Sequence, residues 1–327
     1  MQTLQTVFLT DVFGTATWLW LSFFLLVVAL LAFDLGVLHR RHREIGIAES
    51  LWLSAGYIGV ALCFGVWVWY QTDASQALDY YTGFLVEKSL SMDNVFLMAV
   101  IFSFLGIPRR YQHEVLFWGI LGVIVLRALM IGIGAALIHS FDWILYLFGL
   151  FLLATGLRML TSSLDDAPDL AHNPVLRFLR RRLRVTAELH EHHFVVRLPD
   201  ASGRPLWHAT PLLLALVLIE LADLMFAVDS IPAIFAITQE PFIVYTSNIF
   251  AVLGLRALYF ALAAMIHRFA YLKYALALVL VFIGAKIFLV GIVGKIPAPI
   301  SLGVTFALLA GGVLFSLYKT RPRKDGG

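Results

Sequence analysis

Two segments of the chain set acids inside otherwise apolar runs. Residues 87–96 read EKSLSMDNVF and carry Glu87, Asp93 and Asn94; residues 220–235 read ELADLMFAVDSIPAIF and carry Glu220, Asp223, Asp229 and Ser230. Carboxylate, amide and hydroxyl oxygens are hard ligands. The set therefore suits Mn²⁺, Mg²⁺ or Ca²⁺ better than Zn²⁺ or Cu⁺, which favour His and Cys, and neither residue type occurs in either segment. Met92 and Met225 flank the acids. A thioether there would tilt the preference toward Mn²⁺, although both methionines also read as gap-fillers. A charged side chain at the centre of a bilayer costs roughly 2.5–3.5 kcal/mol on insertion scales. Five carboxylates facing lipid would cost on the order of 10 kcal/mol, so they are expected to face one another, bases, or a hydrated cavity.

One straight helix does not aim all these groups at one point. At about 100° per residue, Glu87 and Asn94 fall within roughly 20° of each other, as do Asp223 and Ser230, whereas Asp93 and Asp229 sit about 120° away. Pro232 lacks a backbone donor and crowds the carbonyl of Val228, so the helix is expected to kink or open there and re-aim Asp229. Phe96 stands at the matching place in the first segment. The bases Lys88, Arg127, Arg256 and Lys286 fall deep in apolar runs and are expected to be charge partners of the acids, as permanent pairs or as groups that trade places with a cation. Arg158 reads as snorkelling at a helix end, and Asp34 in AFDLGVLHRR as a partner of the arginines that follow it. HEHHF at 190–194 has ligand-like chemistry and reads as a solvated or a metal-sensing loop. Asp93 and Asp229 could form the acid pair of an intramembrane hydrolase, but the chain has no GxGD, HExxH or GxSxG.

These groups need a membrane-embedded frame. Hydrophobic residues make up 61% of the 327 and charged ones 14%, against about 45–50% and 25% in soluble domains; mean hydropathy is +0.87. Cys63 is the single cysteine, which rules out an intrachain disulfide or a thiolate cluster. The N-terminus lacks a basic n-region and reads as a permanent helix rather than a cleaved signal. Nine runs of about 20 apolar residues lie near 18–38, 52–70, 82–105, 115–138, 142–160, 210–238, 242–265, 272–293 and 298–318. The expected fold is therefore all-α, a single polytopic transmembrane domain over 1–327. It divides into two peripheral helices (18–70), a first triplet (82–160), a cytosolic loop (161–208) around RFLRRRLRV, a second triplet (210–293) and a last helix (298–318). Of the 24 Lys and Arg, 18 fall in segments alternating onto one face, five fall within spans, and Lys295 alone falls on the other face. Positive residues prefer the cytoplasm, which places the N-terminus outside and the C-terminus inside.

The two triplets resemble each other. Glu87 precedes Asp93-Asn94-Val95 by six residues, and Asp223 precedes Asp229-Ser230-Ile231 by six. Arg127-Ala128-Leu129 answers Arg256-Ala257-Leu258, and Gly156-Leu157-Arg158 answers Gly284-Ala285-Lys286. The orientation above gives the triplets opposite topology, so two inverted three-helix repeats are expected, with a substrate site near mid-membrane between them.

EKSLSMDNVF, ELADLMFAVDSIPAIFAIT, LRALYF and FDLGV resemble the TerC family of integral membrane proteins, in particular its Alx branch, over roughly residues 33 to 303. The resemblance implies manganese handling, chiefly efflux, within the lysine-exporter-like transporters, and residence in the bacterial inner membrane. It also implies that the motif acids, here Glu87, Asp93, Glu220, Asp223 and Asp229, take part in metal transport. The expected function is a secondary transporter, not an enzyme, exporting a divalent cation, Mn²⁺ first among candidates, by alternating access. Proton exchange is its natural driver, because carboxylates change protonation as a metal leaves. Mn²⁺ enters as cargo and no cofactor is expected; the partners are the cation, protons and lipid, not nucleic acid, and oligomeric state stays open. The competing expectations are a membrane-embedded metal sensor or scaffold, and the hydrolase above.

Overall fold

The computed structural model describes residues 11–12, 14–38, 46–141, 143–161, 176–178, 184–186, 188–199, 205–263, 269, 271–294 and 296–320. Most of the basic loop, including residues 179–183 of RFLRRRLRV, lies outside the described residues, as do Arg40, Arg41, Arg43, Lys295 and the tail 321–327. The described chain is nearly all helix. A two-residue ladder, β1 (Asp11–Val12) with β2 (Thr15–Ala16), leads into α1 (Thr17–Leu38) and α2 (Ile47–Gln71). The first triplet is α3 (Ala74–Phe104), α4 (Arg109–Ser140) and α5 (Trp143–Thr161). A hairpin, β3 (Val195–Pro199) with β4 (Pro205–Ala209), precedes α6 (Pro211–Ile237), α7 (Pro241–Val252), α8 (Leu255–Leu262) and α9 (Leu272–Val293); α10 (Ala298–Lys319) closes the fold.

Local chemistry sets the boundaries. The Asp73 carboxylate accepts the Gln76 amide at 2.8 Å and caps α3, starting it eight residues before the apolar run read from sequence. Proline opens α6, α7 and α10, where its missing N–H is not needed. Among the described residues, eight segments are long and apolar enough to cross a membrane, with α7 and α8 together forming one of them. The 31-residue α3 is set apart from these by Asp79, Glu87, Lys88 and Asp93, not by length. Exposed Trp52, Trp69, Tyr70, Trp143 and Tyr318 stand near helix ends, where membrane–water boundaries favour amphipathic rings.

One expectation is corrected: no turn of the helix opens at Pro232. α6 runs through Pro232 as one helix from Pro211 to Ile237. The interruption falls instead at Leu253–Gly254, where Gly254 takes φ 81°, a left-handed conformation that glycine adopts without steric cost. The loop also holds the β3–β4 hairpin, tied to α6 by Thr210, whose amide and hydroxyl both donate to Phe194 O.

Named contacts set the relative directions. Asn94 meets Asp223 and Gly83 lies against Ile234, so α3 and α6 are antiparallel. Gly149 lies against Gly284 and Gly156 against Ala277, so α5 and α9 are antiparallel as well. Gly122 faces Glu220 and Gly134 faces Phe235, making α4 parallel to α6. Gly83 faces Ser247 and Lys88 meets Ala251, making α3 parallel to α7. The helices of 74–161 therefore run opposite to their counterparts in 211–293. The packing pairs α3·α7, α4·α6, α3·α6 and α5·α9 all occur, and exchanging the triplets maps this set onto itself.

Three apolar cores surround the centre. One, around Val95, Met98, Leu116 and Ile219, fills the space between α3, α4, α6 and α8. A second joins α5, α6, α9 and α10 through Leu152, Ile231 and Ile283. The third is aromatic: Phe23, Phe64, Tyr80, Phe242 and Phe250 hold α1 and α2 against α3 and α7.

Candidate functional site

Arg127 sits midway along α4 with 1% of its side chain exposed. Nothing around an arginine at that depth can solvate it except the protein, and three other helices supply the partners. Its Nη1 pairs with Glu87 Oε1 of α3 and donates to Asn248 Oδ1 of α7 at 2.8 Å. Its Nη2 and Nε grip Asp223 of α6, at 2.8 Å from Oδ1 and 3.1 Å from Oδ2. Asn94 Nδ2 donates to the same Asp223 Oδ1 at 2.9 Å, and Asn248 Nδ2 reaches Glu87 Oε2 at 3.3 Å. Glu87, Asn94 and Asp223 are each at most 3% exposed. This is a bidentate, charge-assisted network in which two carboxylates share one guanidinium.

The charge does not balance. One cation faces two carboxylates, and Glu220, one helical turn before Asp223, adds a third acid within electrostatic reach. Gly122 of α4 makes room for it; a Cβ there would collide with the Glu220 carboxylate. Several oxygens in this region are buried without a hydrogen-bond partner: Glu220 Oε2, Asn94 Oδ1 and Ser230 Oγ. Leaving such atoms unsatisfied costs free energy, so the region favours whatever supplies positive charge or a proton.

The expected five-acid convergence does not occur. Among the described residues no three His, Cys, Asp or Glu side chains are grouped as a metal cluster would require. Asp229 turns toward α5, where Thr155 Oγ1 donates to it at 3.3 Å. Asp93 is half-buried, and the charge in its reach is Lys273 of α9. The roughly 120° separation around each helix explains the divergence: with α6 uninterrupted at Pro232, nothing re-aims Asp229. The two aspartates meet different elements, as an acid dyad would not.

The bases sort differently from the expectation too. Arg127 pairs with the motif carboxylates Glu87 and Asp223. Lys88 Nζ donates to Ala251 O at 3.0 Å, in the last turn of α7. Those carbonyls lack helical partners and attract a cation. Arg256, the counterpart of Arg127, pairs with Asp34 of α1 at 2.5 Å and also donates to the Asp34 carbonyl at 3.0 Å. Tyr57 of α2 hydrogen-bonds the same carboxylate. Asp34 therefore answers to Arg256, and its expected partners, the arginines that follow it, lie outside the described residues. Lys286 Nζ donates to Ser301 Oγ of α10 at 3.3 Å. In HEHHF, His192 Nδ1 meets Glu114 of α4 at 2.6 Å, and His190 Nδ1 lies 3.1 Å from Glu188 O.

Sequence reasoning missed Asn248, which bridges Arg127 to Glu87. Its signal was present: Thr246, Ser247 and Asn248 form a polar triplet, each fully buried, in a segment that is otherwise apolar. Thr155 and Lys273 gave no such signal.

Comparison with known proteins places the chain. The TerC integral membrane protein family matches residues 72–324. An uncharacterized membrane protein of Myxococcus xanthus is 47% identical over 304 residues, covering 93% of each chain. One from Rickettsia felis is 45% identical over 300 residues, 92% of this chain and 97% of the other. Alx of Escherichia coli K12, whose name describes a membrane-bound redox modulator, is 46% identical over 301 residues, 89% of this chain and 91% of the other. No solved structure matches.

Proposed function

The chain belongs to the TerC family of integral membrane proteins, and from that premise we propose that it is a transporter of hard divalent cations, Mn²⁺ first, in which Arg127 holds the cargo's place. The observation that carries this reading is the shared guanidinium: Glu87 and Asp223, from helices running in opposite directions, close on one internal cation. When a divalent ion takes those carboxylates, Arg127 must withdraw, and one charge is exchanged for two. The oxygens of Asn94, Ser230 and Glu220, already buried without donors, form the right donor class for such an ion. Asp93 and Asp229, on the far faces of the same two helices, are proposed as relay carboxylates rather than direct ligands.

The opposite sense of the two triplets supports an inverted repeat and alternating access around this centre. The distribution of Lys and Arg supports an N-terminus outside and a C-terminus in the cytoplasm, in the bacterial inner membrane, with export as the direction. Protons are the proposed counter-ion, taken up by carboxylates as the metal leaves. The redox role in the name of the Escherichia coli relative cannot rest here on an intrachain dithiol, since Cys63 is the chain's single cysteine.

The test is dye-reported flux in proteoliposomes with Mn²⁺, Ca²⁺, Mg²⁺ and Zn²⁺, with and without a pH gradient. Mn²⁺ flux that rises with the gradient and disappears in Glu87→Gln and Asp223→Asn is expected. No flux of any ion by folded protein would overturn the reading.

A further inference from the structure

A cavity of about 730 Å³ opens on the side of the hub where α4 ends and α7 begins, its wall including Gly132, Ala136, His139, Gln239, Glu240 and Tyr245. Its mouth is polar: His139, Gln239 and Glu240 are exposed. Its floor lies close to the charged centre. Tyr245 precedes Asn248 by one helical turn, and its hydroxyl donates to Ala128 O at 2.7 Å, beside Arg127. Gly132 leaves space for the tyrosine head; a Cβ there would come within 3.1 Å of Tyr245 Oη. The ring is braced on Trp20, centroids 5.6 Å apart.

The other side of the hub is different. There the space between α3, α4, α6 and α8 shrinks to about 10 Å³ among Met98, Leu116, Val123, Ile219, Leu255 and Arg256, room for about one water at most. Residues on this side precede Arg127 in α4 and Asp223 in α6, while those of the large cavity follow them. On one face a wide cavity has Tyr245 in its wall, and on the other mainly apolar side chains leave a space of about 10 Å³.

We propose that the large cavity is the vestibule by which a hydrated divalent cation passes between one membrane face and the hub, and that the Tyr245 side chain is the gate closing its floor. The exposed His139, Gln239 and Glu240 would meet the ion while it keeps its water, and the Tyr245–Ala128 hydrogen bond is the contact that must break for it to pass. This inference rests on the transport reading, but its test does not need the cargo.

In a Cys63→Ser background, single cysteines replace Ala136 in the vestibule and Asn248 beneath the gate. Each protein, in lipid nanodiscs without metal, is labelled with a charged methanethiosulfonate. Ala136→Cys is expected to label fast and Asn248→Cys slowly. Adding Tyr245→Ala should speed labelling at Asn248→Cys on the order of tenfold, through loss of both the ring and the buried hydrogen bond, and leave Ala136→Cys unchanged. Monodisperse elution of each variant reports an intact fold. Tyr245→Phe, which keeps the ring and loses the hydroxyl, should give a smaller rise. Fast labelling at Asn248→Cys with Tyr245 intact, or no acceleration in either Tyr245 variant, overturns the gate whatever the flux experiment gives. Labelling as expected with no metal flux would leave the gated vestibule standing and remove the transport reading alone.

Discussion

Arg127 holds both oxygens of Asp223 in a fork, Nη2 to Oδ1 at 2.8 Å and Nε to Oδ2 at 3.1 Å, while its remaining nitrogen reaches Glu87. The guanidinium is fully enclosed, so neither acid can turn to water for compensation.

Removing the arginine strands two buried carboxylates. Arg127→Met is expected to lose about 3–5 kcal/mol of stability. Arg127→Lys should lose less, because it keeps the charge and gives up only the planar fork. If a divalent ion takes the arginine's place, Mn²⁺ must stabilise Arg127→Met more than it stabilises the wild type, by about 2.7 kcal/mol at a hundredfold excess over Kd. Thermal unfolding in detergent with and without Mn²⁺ measures both effects; equal metal shifts in the two proteins would dissociate cargo from Arg127.

The two acids carry unequal loads. Asp223 accepts from Arg127 twice and from Asn94 once; Glu87 accepts from Arg127 and, at longer range, from Asn248. Asp223→Asn should therefore be less stable than Glu87→Gln by about 1.5–3 kcal/mol, the worth of one charge-assisted hydrogen bond. Melting curves of monodisperse protein give the order directly.

Asp34 and Arg256 form a structural pair away from the hub. Asp34→Leu or Arg256→Met alone leaves an uncompensated buried charge and should cost about 3–5 kcal/mol. The double variant should recover much of that and show a coupling energy in the range of about 0.5–3 kcal/mol. Its transport should persist. Loss of flux in a stable double variant would return Arg256 to the working machinery.

The α5–α9 contact depends on absent side chains. A Cβ on Gly284 would stand 2.8 Å from Gly149 O and 3.0 Å from Leu153 N, and one on Gly156 would stand 2.8 Å from Ala277 O. Backbone cannot give way as a side-chain tip does, so Gly284→Val should cost about 1–3 kcal/mol. Gly311→Ala in α10, where a Cβ meets nothing within 4 Å, should be neutral or gain roughly 0.5–1 kcal/mol from a less flexible unfolded chain. Unfolding midpoints of the two variants decide this.

The apolar runs and the asymmetry of Lys and Arg made the helices and their alternation legible, because a bilayer leaves the backbone few options. Glu87, Asp223 and Asn94 were legible as well, since charge inside an apolar run needs a partner. The partner's identity was not. Arg127 and Arg256 occupy matching places in the two triplets, yet α1 lies outside both triplets and brings Asp34 to Arg256, 222 residues away in sequence. Internal symmetry is blind to an element that has no counterpart. Pro232 was the expected break, and the chain broke at Gly254 instead. A φ of 81° leaves no mark in composition, and an interior proline can be absorbed where tertiary packing holds the helix.

The turn at Gly254 splits one membrane crossing between two allegiances. The upper half, α7, carries Asn248 and accepts Lys88, and so belongs mechanically to the charged centre. The lower half, α8, carries Arg256 and is moored to the peripheral pair α1 and α2. A single left-handed glycine, seated against Tyr57, thus lets one run of chain serve two groups of charges at once.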